Sequence, residues 1–283
     1  MKIAAVVILY NPANDVVKNI HSYIGAIDKL YIIDNSPKPA NEFKISFIDK
    51  EKVVWLHDGE NKGIASRLNQ VIKLAKEDEY DWLLTMDQDS FFDNETFDNY
   101  LNCVSKFDQK EKVSMFGINH SEKIATDDLC NSVSVNHLIT SGSILNLKAE
   151  SGIGGFDENL FIDEVDFEYC LRSISHGFQI IQFTNIFLVH HLGETVNRRS
   201  LKNIRLSSRV LHSPERLYYM ARNFLYVESK YKSAFPAEIK ERRRILLNRI
   251  KNNLLYNKER LKVLKFIIKG AGDYKKNCMG KLN

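Results

Sequence analysis

The sequence predicts an α/β fold: a mostly parallel, doubly wound sheet with helices on both faces, and a helical C-terminal region. Three observations predict it. Short apolar runs alternate with helix-like segments over the first 120 residues. Several of those runs are nearly continuous in apolar residues, as strands covered on both faces are. From Pro214 onward the apolar residues recur at helical spacing.

In chain order, IAAVVILY (3–10), KLYIID (29–34), KVVWLHD (52–58), YDWLLTMD (80–87) and VSMFGIN (113–119) read as strands. Between the third and fourth, IASRLNQVIKLAKE (64–77) puts Ile64, Leu68, Val71, Ile72 and Ala75 on one helical stripe. VSVNHLITSGSILNLKA (133–149) suggests further strands, and GGFDENLFIDEVDFEYCLRSISHG (154–177) a loop running into a helix. FQIIQFTNIFLVHH (178–191) is strand-like again. PERLYYMARNFLYVESKY (214–231), AEIKERRRILLNRIKNNLLY (237–256) and KERLKVLKFIIKG (258–270) read as helices. The expected organisation is a body of residues 1–212, divided near 120, followed by a basic helical region of residues 213–283.

At 283 residues, 44% hydrophobic and 27% charged, the chain has room for one large domain or a domain with an appendage. Gly and Pro are too sparse for collagen-like or disordered chains. No stretch approaches the ~20 apolar residues of a membrane span. MKIAAVVILYNP ends its apolar run in Tyr-Asn-Pro without a small-residue cleavage site, so it reads as a core strand rather than a signal peptide. Cys103, Cys130, Cys170 and Cys278 are widely scattered, with no metal-ligand spacing, and are expected as free thiols in a reducing cytosol. Charge is unevenly distributed. Residues 1–200 hold 19 Lys+Arg against 30 Asp+Glu, and residues 201–283 hold 21 against 6.

Polar punctuation falls where the strands end: YNP (10–12), DNS (34–36), HDGENKG (57–63) and DQDS (87–90). Each alone makes an ordinary turn. Together they point into one crevice beyond the carboxyl ends of a parallel sheet, where such sheets bind ligands. In DQDS, Asp87 caps its strand and Asp89 stands two residues on. In extended backbone the two share a face and can reach one ion. Mg2+ or Mn2+ takes one or two carboxylates plus substrate phosphates, which suits a diphosphate leaving group. A solvated strand-end turn is the other reading of a lone Asp-x-Asp. In FIDEVDFEYCLR (161–172), Asp163, Glu164, Asp166 and Glu168 cluster at a helix start, where the dipole favours carboxylates, and Asp163 and Asp166 stand at i and i+3. A carboxylate held there can act as a general base. In VHHLGE (189–194), His190 and His191 follow a strand, and one of them can complete a metal site. SGS (141–143) and GIGGFDE (152–158) let backbone approach a ligand but are not phosphate-binding fingerprints, which disfavours ATPase and dinucleotide readings.

The order of VVILYNP, YIIDNS, ENKGIASRLNQVIKLA, LLTMDQDS, ITSGSILN, GGFDENLFIDEVDFEYCLR, VHHLGE and RLYYMARN resembles the inverting glycosyltransferases of family 2, and within them bacterial rhamnosyltransferases. The resemblance spans about residues 3 to 226. It implies a GT-A fold, a nucleotide-activated donor with dTDP-L-rhamnose favoured, and Mg2+ or Mn2+. Asp87 and Asp89, with Gln88 between them, match the carboxylates that bind metal and diphosphate. Tyr10, Asn11 and Pro12 match the turn bordering the base. Asp34 and Asn35 match the turn contacting the nucleoside, and Asn61 with Gly63 the segment beside base and ribose. The catalytic base maps to Asp166, although Val165 replaces the acidic residue that usually precedes it. Asp163 and Glu164 stand near enough in sequence to compensate and, with Ser141 and Gly142, are assigned to the acceptor side. His190 matches a late-strand histidine that helps hold metal, with His191 as the fallback. The implied reaction is a single displacement with inversion, onto a saccharide hydroxyl, in cell-surface polysaccharide synthesis.

Two other classes remain. A sugar nucleotidyltransferase would need a glycine- and arginine-rich loop after the first strand, which YNPANDV lacks. A catalytically silent nucleotide-sugar binder is disfavoured by DQDS and Asp166 standing together. UDP-galactofuranose and UDP-glucose are the alternative donors. The stretch 239–269 interleaves Leu, Ile and Phe with Lys and Arg and is expected to lie on an anionic membrane surface, near lipid-linked acceptors on the cytoplasmic side. Packing against the body or within a homodimer is its alternative. The acidic body disfavours nucleic acid.

Overall fold

The structure, a computed structural model, describes residues 1–40, 51–93, 95–120, 130–190, 195–199 and 206–282. The chain divides into two compact units, residues 1–157 with 165–191, and residues 158–164 with 192–283.

In the first unit, β1 (Ile3–Leu9) pairs in parallel with both β2 (Lys29–Asp34) and β4 (Trp82–Asp87), and β3 (Val53–His57) pairs in parallel with β2. β5 (Ser90–Phe92), β6 (Val113–Asn119), β7 (Ser132–Ser134), β8 (Ser143–Asn146) and β9 (Gln179–His190) extend the sheet in the order β3-β2-β1-β4-β8-β6-β9-β5, with β7 on β9. β8 lies antiparallel between β4 and β6, and β9 is parallel to β6. The chain leaves β1 toward β2 on one side and returns to β4 on the other. Such a reversal opens a crevice at the carboxyl ends of the strands.

The helices of this unit are α1 (Val16–His21), α2 (Gly63–Glu77), α3 (Thr96–Lys106), α4 (Leu147–Ile153) and α5 (Val165–Ser175). α2 buries Ala65, Leu68, Val71, Ile72 and Ala75, the stripe its sequence spacing predicts, with Ile64 partly buried. α3 buries Phe97, Tyr100, Cys103 and Val104 against the apolar face that also takes in Val7, Leu9, Ile32 and Phe183. The predicted strand ending at 149 is corrected. β8 stops at Asn146, whose side-chain oxygen accepts the Lys148 and Ala149 N–H groups at 3.0 and 3.2 Å and starts α4 instead. The free-thiol reading is corrected for two cysteines: Cys103 on α3 and Cys130 form a disulfide, Cα to Cα 5.2 Å. Cys170 and Cys278 are free.

In the second unit, β10 (Thr195–Arg199) and β11 (Leu206–Val210) form an antiparallel hairpin. α6 (Pro214–Tyr231), α7 (Pro236–Tyr256) and α8 (Arg260–Lys275) follow. Pro214 opens α6, and the Ser213 hydroxyl accepts the Arg216 N–H at 3.1 Å, so the helix starts where the sequence predicts. Leu217, Met220 and Val263 form a small core with Leu246, Leu254 and Ile267. α6 and α8 approach at Gly270, where an added Cβ would stand 2.6 Å from the Tyr218 carbonyl oxygen.

The loop closed by Cys103–Cys130, of sequence separation 27, is expected to contribute about 3 kcal/mol to stability. Cys103→Ser should lower the urea midpoint without reductant, and the variant and parent should coincide in dithiothreitol. Coincidence without reductant would show that no bond forms. Burial, and then the neighbouring Arg249 and Arg216, lower the pKa of His212 below its usual 6.5. The unfolded chain therefore takes up this proton first, so stability is unaffected well above 6.5 and falls as pH drops below it. Between about pH 8 and about pH 5.5, His212→Gln should lose less stability than the parent. Equal losses would refute the assignment.

Candidate active site

The crevice at the end of β1 is closed by one side chain. Tyr10 lies beyond the paired part of β1, and its N–H donates to the Gln88 Oε1 at 2.8 Å. Gln88 Nε2 returns a bond to the Tyr10 carbonyl at 3.3 Å. The Gln88 amide thus satisfies both backbone groups of a residue that has left the sheet. Asn19, buried on α1, holds the Gln88 carbonyl at 2.9 Å, which fixes the turn from the other side. Asn11 follows in a left-handed conformation, φ +45°, and its N–H donates to the Ser36 hydroxyl at 2.8 Å. Tyr10 and Asn11 are exposed and Pro12 is half-buried.

Beyond β2 and β3 the side chains form a connected polar floor. Asp34 is fully buried, and its carboxylate accepts the Ser36 N–H at 3.1 Å and the Ala40 N–H at 2.7 Å. That geometry makes Asp34 a shaper of its turn. Asn35 donates to Asn61 Oδ1 at 2.9 Å and accepts from the Lys62 N–H at 3.0 Å and Arg67 Nε at 2.9 Å. Asn61 Oδ1 also takes the Gly63 N–H at 3.0 Å, where Gly63 opens α2 with φ +81°. The guanidinium of Arg67, 2% exposed, bridges Asp58 at 2.9 and 2.5 Å and the Glu60 carbonyl at 2.6 Å. Arg67 beside it holds the Asp58 carboxyl well below the usual carboxylate range.

Asp87 is the exposed last residue of β4, while Gln88 and the half-buried Asp89 lie in the turn to β5. The expectation that the two aspartates share the face of one extended strand is therefore corrected. They flank a turn. Ser141 braces it from behind. Its hydroxyl accepts the Asp87 N–H at 3.2 Å and donates to the Ser90 hydroxyl at 2.9 Å. Gly142, φ +75°, donates its N–H to the Thr85 carbonyl at 2.8 Å, and a Cβ there would meet Ile118 at 2.8 Å. Ser141 is buried, so it and Gly142 support the Asp87 turn from beneath. β5 pairs with β9 so that Ser90 stands opposite His190, one residue beyond Asp89. His191 lies outside the described residues. Among the described residues no three His, Cys, Asp or Glu side chains gather as a metal site. Two carboxylates fit a hard divalent ion whose remaining ligands are phosphate oxygens and water.

The acidic cluster at 163–168 is divided. Asp163 and Glu164 are not on a helix but precede α5 in left-handed conformations, φ +63° and +66°. The expected i, i+3 neighbourhood of Asp163 and Asp166 is thereby corrected. Two consecutive non-glycine residues at positive φ are held only where their surroundings enforce it. In the second unit, Arg216 grips the Asp163 carboxylate at 2.7 and 2.9 Å, and Arg242 Nε lies 2.9 Å from both oxygens of Glu164. Asn223 donates to the Ile162 and Asp163 carbonyls at 2.7 and 3.1 Å. In the first unit, Glu168 is fully buried and paired with Arg172 at 2.9 Å. Asp166, half-buried in the first turn of α5, accepts the Phe167 N–H at 2.8 Å on Oδ1; among the described residues its Oδ2 takes no donor. Of the four carboxylates it is the one without an arginine among the described residues.

Sequence reasoning passed over Arg67, Ser36, Asn19, Arg216, Arg242 and Asn223. The signal for Arg67 lies in the sequence, as a lone cation within the buried stripe of α2. Arg216 and Asn223 stand in RLYYMARN, a stretch that the resemblance singled out without a role, whereas Arg242 gave no signal, since it meets its carboxylate across 78 residues.

Residues 4–127 match the model of glycosyl transferase family 2. The chain is 29% identical over 241 residues, 78% of each chain, to the dTDP-rhamnosyl transferase RfbF of Shigella flexneri. TarS 1-349 of S. aureus, solved in complex with UDP-GlcNAc, superposes with a TM-score of 0.57 at 15% identity, over 97% of this chain and 80% of that one. GalNAc-T7, solved with UDP, GalNAc and Mn2+, superposes with a TM-score of 0.62 at 11% identity, over 98% of this chain and 56% of that one. At these identities the structural likenesses show the fold. With that fold, a match to glycosyl transferase family 2 over residues 4–127 and a relative of similar length, the chain reads as a glycosyltransferase, GT-A-like in fold and similar in sequence to a bacterial rhamnosyl transferase.

Proposed function

We propose that the protein transfers L-rhamnose from dTDP-L-rhamnose to a hydroxyl of a saccharide acceptor, with inversion at the anomeric carbon, in bacterial cell-surface polysaccharide synthesis. The observation that carries this reading is the 29% identity to the dTDP-rhamnosyl transferase RfbF over 78% of both chains. The geometry agrees with it: Tyr10, Asn35 and the Asp87–Asp89 turn belong to neighbouring strand ends of one crevice.

In this reading Tyr10, Asn11 and Pro12 border the base, and the Asn35–Asn61–Gly63 floor carries the nucleoside. Asp34 acts indirectly, by holding that floor's turn. Asp87 and Asp89, with His190 opposite Ser90, would hold Mg2+ or Mn2+. A cation bound there supplies positive charge to the departing nucleoside diphosphate. Asp166 accepts the proton of the acceptor hydroxyl as that oxygen attacks the anomeric carbon and the carbon–diphosphate bond breaks. Among the described residues no donor restrains its Oδ2. Asp163 and Glu164, each held by an arginine, serve the acceptor side by shaping the segment before α5. A nucleotide-sugar donor places the reaction in the cytoplasm. The Cys103–Cys130 bond pulls against that placement, because thiols there are kept reduced.

Purified protein should release dTDP from dTDP-L-rhamnose with Mn2+ or Mg2+, and EDTA should abolish the release. Asp89→Asn should lose the metal response. Release of UDP from UDP-galactofuranose or UDP-glucose instead would replace rhamnose with that sugar. Failure of every nucleotide sugar to bind or react would overturn the reading. Asp166→Asn should lower kcat for transfer by about 100- to 10,000-fold while donor affinity stays within a few-fold. Unchanged kcat would remove Asp166 from the chemistry.

A further inference from the structure

Helix α8 carries two apolar faces where a packed surface helix needs one. The inner face holds Val263, Ile267 and Gly270, and it meets Leu217, Met220 and the Tyr218 carbonyl of α6. The outer face holds Leu261, Leu264 and Ile268, which are 80%, 44% and 63% exposed. At 3.6 residues per turn these three lie within an arc of about 60°. Half of the large apolar side chains exposed among the described residues lie on α7 and α8, Leu247 and Leu255 being the others. An outward stripe this apolar gains nothing in water.

The cations beside the stripe are distributed in a telling way. Lys262 and Lys269 are neutralised, the first by Glu215 and Glu259 and the second by Asp273. Lys265 and Lys275, which fall on or beside the stripe, and Lys276, which caps the helix, are exposed and form no salt bridge among the described residues, although the Asp273 carboxylate feels the charge of Lys276. No helix is long and apolar enough to cross a membrane among the described residues. The combination is that of a helix lying in an interface: apolar side chains to enter the acyl boundary, free lysines to meet anionic headgroups.

We propose that the outer face of α8, Leu261, Leu264 and Ile268 with Lys265, Lys275 and Lys276, docks on the surface of an anionic phospholipid bilayer. A second copy of the chain fits less well. A twofold contact through this face would bring the same unpaired lysines against one another. The inference does not depend on the donor sugar, and none of these residues belongs to the strand-end crevice described above.

The full-length protein would be sedimented with phosphatidylcholine vesicles and with vesicles containing about 30 mol% phosphatidylglycerol, at low and high salt. Binding to the anionic vesicles, weakened by salt, is expected. The triple variant Lys265→Gln/Lys275→Gln/Lys276→Gln should reduce that binding about 100-fold. Leu261→Gln/Ile268→Gln should reduce it at least tenfold, and both variants should keep the parental melting temperature and donor hydrolysis. Absence of vesicle binding, or binding that neither variant weakens, would overturn the proposal. So would a dimer in sedimentation equilibrium that Leu261→Gln/Ile268→Gln dissociates, which would assign the face to a second copy. Loss of donor hydrolysis in the parent with vesicle binding intact would instead strike the transfer reading alone.

Discussion

The first unit depends on one constraint, the parallel pairing of β1 with strands on both of its sides. A central strand so paired must release its chain at the carboxyl end with nothing alongside it. The backbone groups of the first free residue still need partners. Gln88 provides them for Tyr10 with a side-chain amide, in effect a peptide group supplied from the turn after β4. The same turn carries Asp87 and Asp89. Closing the sheet and presenting carboxylates to a ligand are therefore tasks of one four-residue stretch, which explains how a charged turn can stand at the end of a strand as buried as β4.

The strands of the first 120 residues in chain order, the stripe of α2 and the extents of α6 and α7 were legible because each follows from periodicity and local capping, whereas α8 runs on to Lys275, five residues past its expected end. Pro214 after Ser213 fixes the start of α6 with no tertiary information. The antiparallel entry of β8 between β4 and β6 was not legible, since strand direction is set by chain connections rather than by residue pattern. The short α4 escaped because Ser-Ile-Leu-Asn-Leu reads as strand until Asn146 is seen to cap. In the site, residue types at strand ends could be read as a crevice. The division of labour among Asp163, Glu164, Asp166 and Glu168 could not. It is decided by Arg216, Arg242 and Arg172, and two of those arrive from distant helices.

The segment before α5 also gives a role to the RLYYMARN stretch. Its Asn223 ties down the carbonyls of Ile162 and Asp163, where the backbone is strained. Its Arg222 is fully buried and faces no carboxylate among its hydrogen-bond partners. The charge rests between the rings of Tyr218 and Tyr219, each 5.1 Å away, and on carbonyl oxygens. An arginine's rigid fork suits this task, because several fixed acceptors must be met at once.

Those acceptors have an implication for how the chain can drift. Arg222 holds the carbonyls of Cys278 and Gly280, the Gly280 N–H reaches the Asn159 carbonyl at 2.9 Å, and the Leu282 N–H reaches the Tyr219 hydroxyl at 2.7 Å. Each of these bonds engages the main chain of residues 278–282 and none engages a side chain there. Selection on such a contact is blind to residue identity except at Gly280, whose φ of +76° favours glycine. Among relatives the rest of this tail would look like freely varying sequence while its path stayed fixed, and the signature of the contact would be written in that glycine and in an arginine and a tyrosine some sixty positions earlier.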